Sequence, residues 1–377
     1  MYISDFQSRF TICGSRLLDE RIKRDLRQVV NFLRVRHAAV DLPLAAIWLG
    51  GDYGRGEGAV FRLPESDPPE EKPWFDYDFY LLYQRPLGNS AYQALYTAWE
   101  SYLTGHIGLK VELRSAGFDR DIQHLPPRLE WFQLCQHYQT LWGDSSLKPK
   151  LDKAFISSPG DALETLLRGC VYWLSRPQPA QLQEAFYRSA MAASEACLLL
   201  HQLYAGSLRE RSLAYHQWQQ QNPLAWRREL GYLYQEAMQY RFLPSDFSHL
   251  PPPDAQRQKQ LIKLLLHTYT EVLSHWFDTE VSLESSAQLI QAYLSKQRRR
   301  SWRWLSKPTP SAEDRLLELA CLLPYVLIET CVPPGTPLPD LYIEIGDTAS
   351  QKERIRLFLA YWRQYINLSE NGNLRPE

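Results

Sequence analysis

Two aspartates, Asp76 and Asp78, stand two residues apart in an otherwise apolar run, Asp-Tyr-Asp-Phe-Tyr-Leu-Leu-Tyr, and this constrains the chain more than any other feature. Alternate residues of a β-strand share a face. A strand over 76–83 therefore points Asp76, Asp78 and Tyr80 one way and Tyr77, Phe79 and Leu81 the other. An unpaired carboxylate among aromatic and aliphatic neighbours is costly, so the acids read as a dedicated site rather than a solvated face. Glu112, flanked by Val111 and Leu113, can complete the cage from a neighbouring strand. Three carboxylates suit Mg²⁺, with Mn²⁺ as its substitute, because hard cations prefer oxygen ligands and keep substrate phosphates in their shell. Two such ions about 3.5–4 Å apart would brace the attacking and leaving oxygens of an in-line phosphoryl displacement.

Upstream, Leu44 to Leu49 forms a strand-like apolar run. It ends at Gly50-Gly51-Asp52-Tyr53-Gly54-Arg55-Gly56-Glu57-Gly58. Gly54, Gly56 and Gly58 let the backbone approach a phosphate closely, Arg55 can contact it, and a following helix N-terminus would add its positive end. An earlier Gly14-Ser15 precedes a helix instead of following a strand, and Ser15 reads as its N-cap.

The apolar residues from Leu17 to Leu33 recur at helical spacing, giving an amphipathic helix that ends near His37. A second helix is expected over Ala91 to Leu103 and a third strand over Leu109 to Leu113. The prolines and acids from Arg62 to Pro73 favour an exposed loop. These elements make a small mixed sheet with helical cover over residues 1–150. Beyond Leu151 helical periodicity takes over: Ala162–Leu174, Leu182–Tyr204, Leu224–Tyr240, Leu261–Phe277, Leu283–Leu294, Leu316–Ile328 and Ile355–Tyr365. Proline clusters separate several of them. The expected class is α+β, with an all-α domain over 151–377.

A formal net charge of −1 supplies no global field to hold a polyanion. That argues against a protein that coats DNA, and it makes nucleic acid a secondary partner. The basic and aromatic cluster Lys296–Trp304 could grip phosphates and stack bases, but it reads more simply as a helix end whose tryptophans dock in the core. The six cysteines form no CxxC, as expected of thiols in a reducing compartment. Met1 to Asp5 has no signal-peptide pattern, and the longest apolar run, Leu319 to Ile328, is too short to span a bilayer. The expected location is cytoplasmic, without a membrane partner. The nine histidines show no HExxH or paired spacing, which speaks against zinc. Neither a GxSxG turn nor a GxxxxGK[ST] loop occurs.

The order of glycine turn, Asp76-x-Asp78 and an acid on the next strand resembles the polymerase-β-like nucleotidyltransferase superfamily. The Tyr-Gly-Arg-Gly-Glu wording is especially similar to the nucleotidyltransferase modules of protein uridylyltransferases and of aminoglycoside nucleotidyltransferases. The resemblance covers Leu44 to Arg114 and extends towards Leu141-Trp142-Gly143-Asp144. It implies transfer of a nucleoside monophosphate from a nucleoside triphosphate to a hydroxyl of a small molecule or protein. Asp76, Asp78 and Glu112 would hold Mg²⁺, with Glu112 helping to activate the acceptor, and Gly50, Gly51, Asp52, Tyr53, Gly54, Arg55 and Gly56 would cradle the nucleotide. The sequence departs from the family at Asp52. If Gly51-Asp52 takes the family's Gly-Ser position, a carboxylate faces the triphosphate; if Gly50-Gly51 takes it, Asp52 is an insertion that points away. The first case favours a disabled scaffold that senses a nucleotide or binds a partner.

Overall fold

The structure, a computed structural model, describes residues 10–63, 70–85, 89–118, 121–175, 179–301, 311–327 and 351–370. The chain divides into two compact units. The first comprises Met1–Ile156, Ala205–Leu213 and Met238–Leu250; the second comprises Ser157–Tyr204, Ala214–Ala237 and Pro251–Glu377. The first unit thus runs a little past residue 150 and takes in two further segments from the helical half.

In the first unit, Ser15 accepts a hydrogen bond from the Leu18 N–H at 3.2 Å and caps helix α1 (Arg16–Ala39). Leu18, Ile22, Leu26, Val29, Val30 and Leu33 fall on one stripe of α1 and are buried. They pack against the apolar face of a four-stranded mixed sheet made of β1 (Leu44–Leu49), β4 (Asp76–Tyr83), β5 (Lys110–Phe118) and β6 (Gln139–Gly143). The strand order is β5-β4-β1-β6, with β4 and β5 parallel and the other pairs antiparallel. Tyr77, Phe79, Val111 and Leu113 face α1 and helix α3 (Asn89–Ile107). The opposite face carries Trp48, Tyr80 and Leu82, covered by Leu134 of helix α4 (Leu129–Gln136). The parallel pairing requires a crossover, and α3 supplies it. Outward N–H groups of edge strand β5 are used by α3: Val111 donates to Thr104 Oγ1 at 3.0 Å and Leu113 to Glu100 Oε1 at 2.7 Å. That blunts an edge that would otherwise be free to pair with another strand.

The sequence reading and the structure differ in several places. The sequence predicts an exposed loop over Arg62 to Pro73, but its two ends lie in paired strands, β2 (Ala59–Leu63) and β3 (Glu70–Trp74); residues 64–69 lie outside the described residues. Pro73 is tolerated there because a two-stranded ribbon leaves edge positions that need no N–H donor. Strand β6 and helix α4 were not anticipated. The glycine stretch opens only a single helical turn, α2 (Gly51–Gly54).

Every strand or helix among the described residues of the second unit is a helix. Helix α5 (Pro159–Leu174) starts with a capping box in which Ser158 and Asp161 satisfy each other's backbone N–H, and Pro159 occupies its first turn. It packs closely on α6 (Pro179–Leu200): a Cβ at Gly169 would overlap that of Ala192, and Ser189 Oγ donates to Gly169 O at 2.7 Å. Helix α9 (Ala255–Phe277) packs against both. Also helical are α7 (Leu208–Gln221), α8 (Ala225–Phe242), α10 (Leu283–Ser301), α11 (Ala312–Leu327) and α12 (Gln351–Glu370); parts of α7 and α8 belong to the first unit. Helix α7 was not foreseen. Trp302, Arg303 and Trp304 of the basic and aromatic cluster lie outside the described residues, as do Pro308 and residues 328–350. Among the described residues, no helix is long and apolar enough to cross a membrane.

Candidate functional site

Parallel pairing sets Asp78 opposite Glu112 and Asp76 opposite Lys110. Residues opposite each other on paired strands share a face, so Asp76, Asp78 and Glu112 lie together on one side of the sheet, at the end of β4 next to the glycine turn. Arg114, two residues beyond Glu112, joins the acids. Its Nη2 lies 3.3 Å from Asp78 Oδ1 and 2.6 Å from Glu112 Oε2, and its Nη1 lies 3.2 Å from Glu130 Oε1. Lys110 also pairs with Glu112.

The two carboxyls respond oppositely. Burial pushes the Asp78 carboxyl well above the usual carboxylate range, and the charges of Asp76, Glu112 and Asp52 add to that against the opposing Arg114. Burial acts on Glu112 in the same sense, but Arg114 and Lys110 overcome it and hold that carboxyl well below its ordinary value. Carboxylates that share a face and resist ionising together are relieved by a nearby cation, and here Arg114 already supplies one. The donor set is all oxygen, which fits Mg²⁺ or Mn²⁺ and not a softer ion. Arg114 lies between two of these acids and would have to yield to such a cation.

The glycine turn meets the acids directly. Gly50 N–H donates to Asp78 O at 2.9 Å. Gly51 adopts φ +59°, and a Cβ there would run into the Asp78 carboxylate. Glycine at 51 is therefore required twice over, for its backbone conformation and for the space the acid occupies. Gly56 is also left-handed, at φ +74°.

The remaining predicted nucleotide-binding residues are engaged in holding this turn together. Tyr53 is buried, and its hydroxyl lies between Ala59 O (2.8 Å) and Trp74 O (3.0 Å) while accepting from Trp74 N–H (2.8 Å). It thereby fastens the β2–β3 hairpin. Gly54 is buried. Arg55 pairs with Asp52 and with Glu57, the latter at 3.3 Å, and its side chain is only 7% exposed.

Asp52 is neither exposed nor inserted as a bulge; it belongs to the helical turn. Its carboxylate is gripped by Arg55 and by Arg241 of α8, whose Nε donates at 2.5 Å. Burial opposes its ionisation, yet Arg241 and Arg55 together lower its pKa. Arg241 also stacks 4.1 Å over the ring of Phe75. Phe75 holds φ +72°, a genuine outlier for an aromatic residue, in the position just before Asp76. Strain of this kind costs about 1–3 kcal/mol and persists where surroundings over-determine it. Here Arg241 and Tyr240 provide those surroundings.

Glu57 ties in the other helical segment. It accepts from the N–H groups of Leu208 (2.8 Å) and Arg209 (3.3 Å) and from Ser207 Oγ (2.7 Å), so it caps the start of α7. Arg114, Arg241 and Glu57 had no sequence signal as site residues. Arg114 and Glu57 lay within the motif region, but their partners could not be read from spacing. Arg241 lies just past the end of the helical pattern over Leu224–Tyr240, with nothing in the sequence to mark it.

A cavity of about 440 Å³ opens beside Glu112 between α3 and β5, lined by Thr97, Glu100, Ser101, Thr104 and Lys110 among others. Comparison of the chain with protein-family models, curated proteins and solved structures gives no match.

Proposed function

We propose that the chain is a Mg²⁺-dependent nucleotidyltransferase that moves a nucleoside monophosphate from a nucleoside triphosphate to a hydroxyl. The observation that carries this reading is the meeting of Asp76, Asp78 and Glu112 on one sheet face against the backbone of Gly50 and Gly51. Asp76, Asp78 and Glu112 would hold the metal, whose charge offsets that of the phosphates when it is bound. Gly51, without a Cβ, lets the Asp78 carboxylate close against the turn that would receive the phosphate chain. Glu112 keeps its charge because Arg114 and Lys110 hold it ionised, so it is a weak proton acceptor. Its contribution to the acceptor is positional. The cavity beside it, lined by hydroxyls and acids, suits a small polar acceptor or a protein side chain better than a polynucleotide.

A second reading is favoured by one contact: Arg114 bridges two of the three acids as a cation would. A scaffold stabilised that way could bind a nucleotide or partner without turnover. One experiment separates the two. The protein is incubated with each α-labelled nucleoside triphosphate and Mg²⁺, and release of pyrophosphate and labelling of acceptors are followed. Turnover that disappears in a folded Asp78→Asn variant supports the enzyme. Saturable Mg²⁺-dependent binding with no pyrophosphate from any triphosphate supports the scaffold.

A further inference from the structure

The helical unit gathers three side chains that linear spacing did not connect. His201 follows the last turn of α6, and Glu271 and His275 stand one turn apart on α9. Their ligating atoms lie within 4.8 Å of one another. His201 Nε2 is 3.3 Å from Glu271 Oε1, and the rings of His201 and His275 meet edge to face with centroids 5.3 Å apart.

Around this group the surroundings are ordered. Arg227 Nη2 donates to Glu271 Oε1 at 2.5 Å, and the Arg227 guanidinium lies 4.6 Å over Trp218. Trp218 in turn faces His201 at 4.8 Å. Oε1 is therefore held from two directions. Oε2 of the same carboxylate is buried and has no hydrogen-bond partner among the described residues. A buried acceptor left unsatisfied is costly, and an ion pair with Arg227 explains only the other oxygen. His275 is exposed, which leaves a route from solvent.

We propose that His201, Glu271 and His275 bind a transition-metal dication of the zinc class. Two imidazole nitrogens and one carboxylate oxygen form a donor set for a borderline ion, distinct in chemistry from the all-oxygen set on the sheet. Glu271 ligates through Oε2, while Arg227 holds Oε1 from outside, the role an outer hydrogen-bond partner plays for a ligating carboxylate. On metal binding His201 gives up the Nε2–H that faces Oε1 in the metal-free protein and keeps its ring proton on Nδ1. Three protein ligands leave a fourth position open to water or to a ligand atom. The histidine spacing gave no sign of this because His201 and Glu271 are 70 positions apart.

The test uses the full chain, stripped by a chelator and titrated calorimetrically with Zn²⁺ in saturating Mg²⁺, which occupies oxygen sites without competing for imidazole. The expected result is one Zn²⁺ per chain. His275→Ala, at an exposed position, should weaken it by more than the ~10–100-fold typical of losing an outer partner. Glu271→Gln can still accept from Arg227 through its amide oxygen, so it keeps that contact while losing the charge. It should also weaken binding. Zn²⁺ should raise the melting temperature of the wild type by mass action, and raise neither variant's. Asp78→Asn should bind Zn²⁺ as the wild type does. The proposal is overturned if the wild type binds no Zn²⁺, if both helical variants bind it unchanged, or if binding disappears in Asp78→Asn.

Discussion

Arg241 reaches Asp52 across 189 positions of sequence and donates from Nε to Oδ2 at 2.5 Å, while Arg55 holds Oδ1 of the same carboxylate. With Glu57 also paired to Arg55, the turn carries two acids and two guanidiniums, a formal sum of zero. A bare Asp52 facing a triphosphate would oppose it by about 4 kcal/mol per unit charge at 4 Å for an effective dielectric near 20, as a ceiling. The two arginines remove most of that objection.

Removing Arg241 leaves Asp52 buried with half its compensation. Arg241→Met should destabilise the protein by about 3–5 kcal/mol, the usual cost of breaking a buried pair from one side. The double variant Asp52→Asn/Arg241→Met should recover a large part of it, because neither charge is then stranded. Urea denaturation of the two single variants and the double measures this. Additive losses would mean that the contact contributes little.

Gly51→Ala introduces a Cβ at φ +59° where the Asp78 carboxylate lies. The left-handed backbone alone costs roughly 1–2 kcal/mol, and the acid must also move. Mn²⁺ affinity, read by water-proton relaxation, should fall along with stability. A variant that loses stability but keeps its Mn²⁺ affinity would separate the turn from the acids.

Arg114→Ala strips the acids of the cation that joins them. Without metal the variant should melt earlier than the wild type, since Asp78 then faces Glu112 with only Lys110 left as a countercharge. Adding Mg²⁺ should close most of that gap, and the variant should bind Mn²⁺ more tightly because a competitor is gone. Equal melting curves with and without Mg²⁺ would count against the acids as a metal site.

His37 offers a pH readout away from the acids. It is buried on α1, with Nδ1 2.8 Å from Leu33 O and Nε2 3.2 Å from the Tyr83 hydroxyl. Burial lowers its pKa below the ordinary 6.5, against the hydrogen bond to Leu33. The unfolded chain therefore binds a proton at a higher pH than the folded chain does. Stability is complete above about 6.5 and falls as pH drops from there towards the folded value, by up to about 1.4 kcal/mol for each unit between them. His37→Gln should remove that slope. The comparison is of unfolding free energies from pH 7.5 down to 5 (about the range in which histidine titrates).

Strands β1, β4 and β5 were legible because their apolar runs are dense and, in β4, the acids alternate with aromatics. Strand β6 was not, since Gln139 and Thr140 break the apolar pattern and the strand is recruited by pairing with β1. The prolines from Pro64 to Pro73 read as a loop because proline is usually excluded from sheets, and only the two-stranded setting excuses Pro73 in β3. Helix α7 was hidden by its polar sequence, which ends in three glutamines. Within the site, period-two spacing put Asp76 and Asp78 on one face, whereas the buried partners of Tyr53 and Arg55 could not be read from it. Contacts such as Asp52–Arg241 depend on where distant helices return, and local periodicity carries no information about that.

The cap that Glu57 places on α7 limits how this sequence could be taken apart. A gene fragment ending after β6 would encode every strand found among the described residues, yet Glu57 would have no helix start to receive its oxygens and Asp52 would keep one of its two cations. Recombination that exchanged the C-terminal helices for those of another protein would meet the same obstacle. Such a sheet does not travel as a cassette. A graft that brings new helices keeps this turn intact only if it restores a helix start at Ser207–Arg209 for Glu57 and a guanidinium at Arg241 for Asp52.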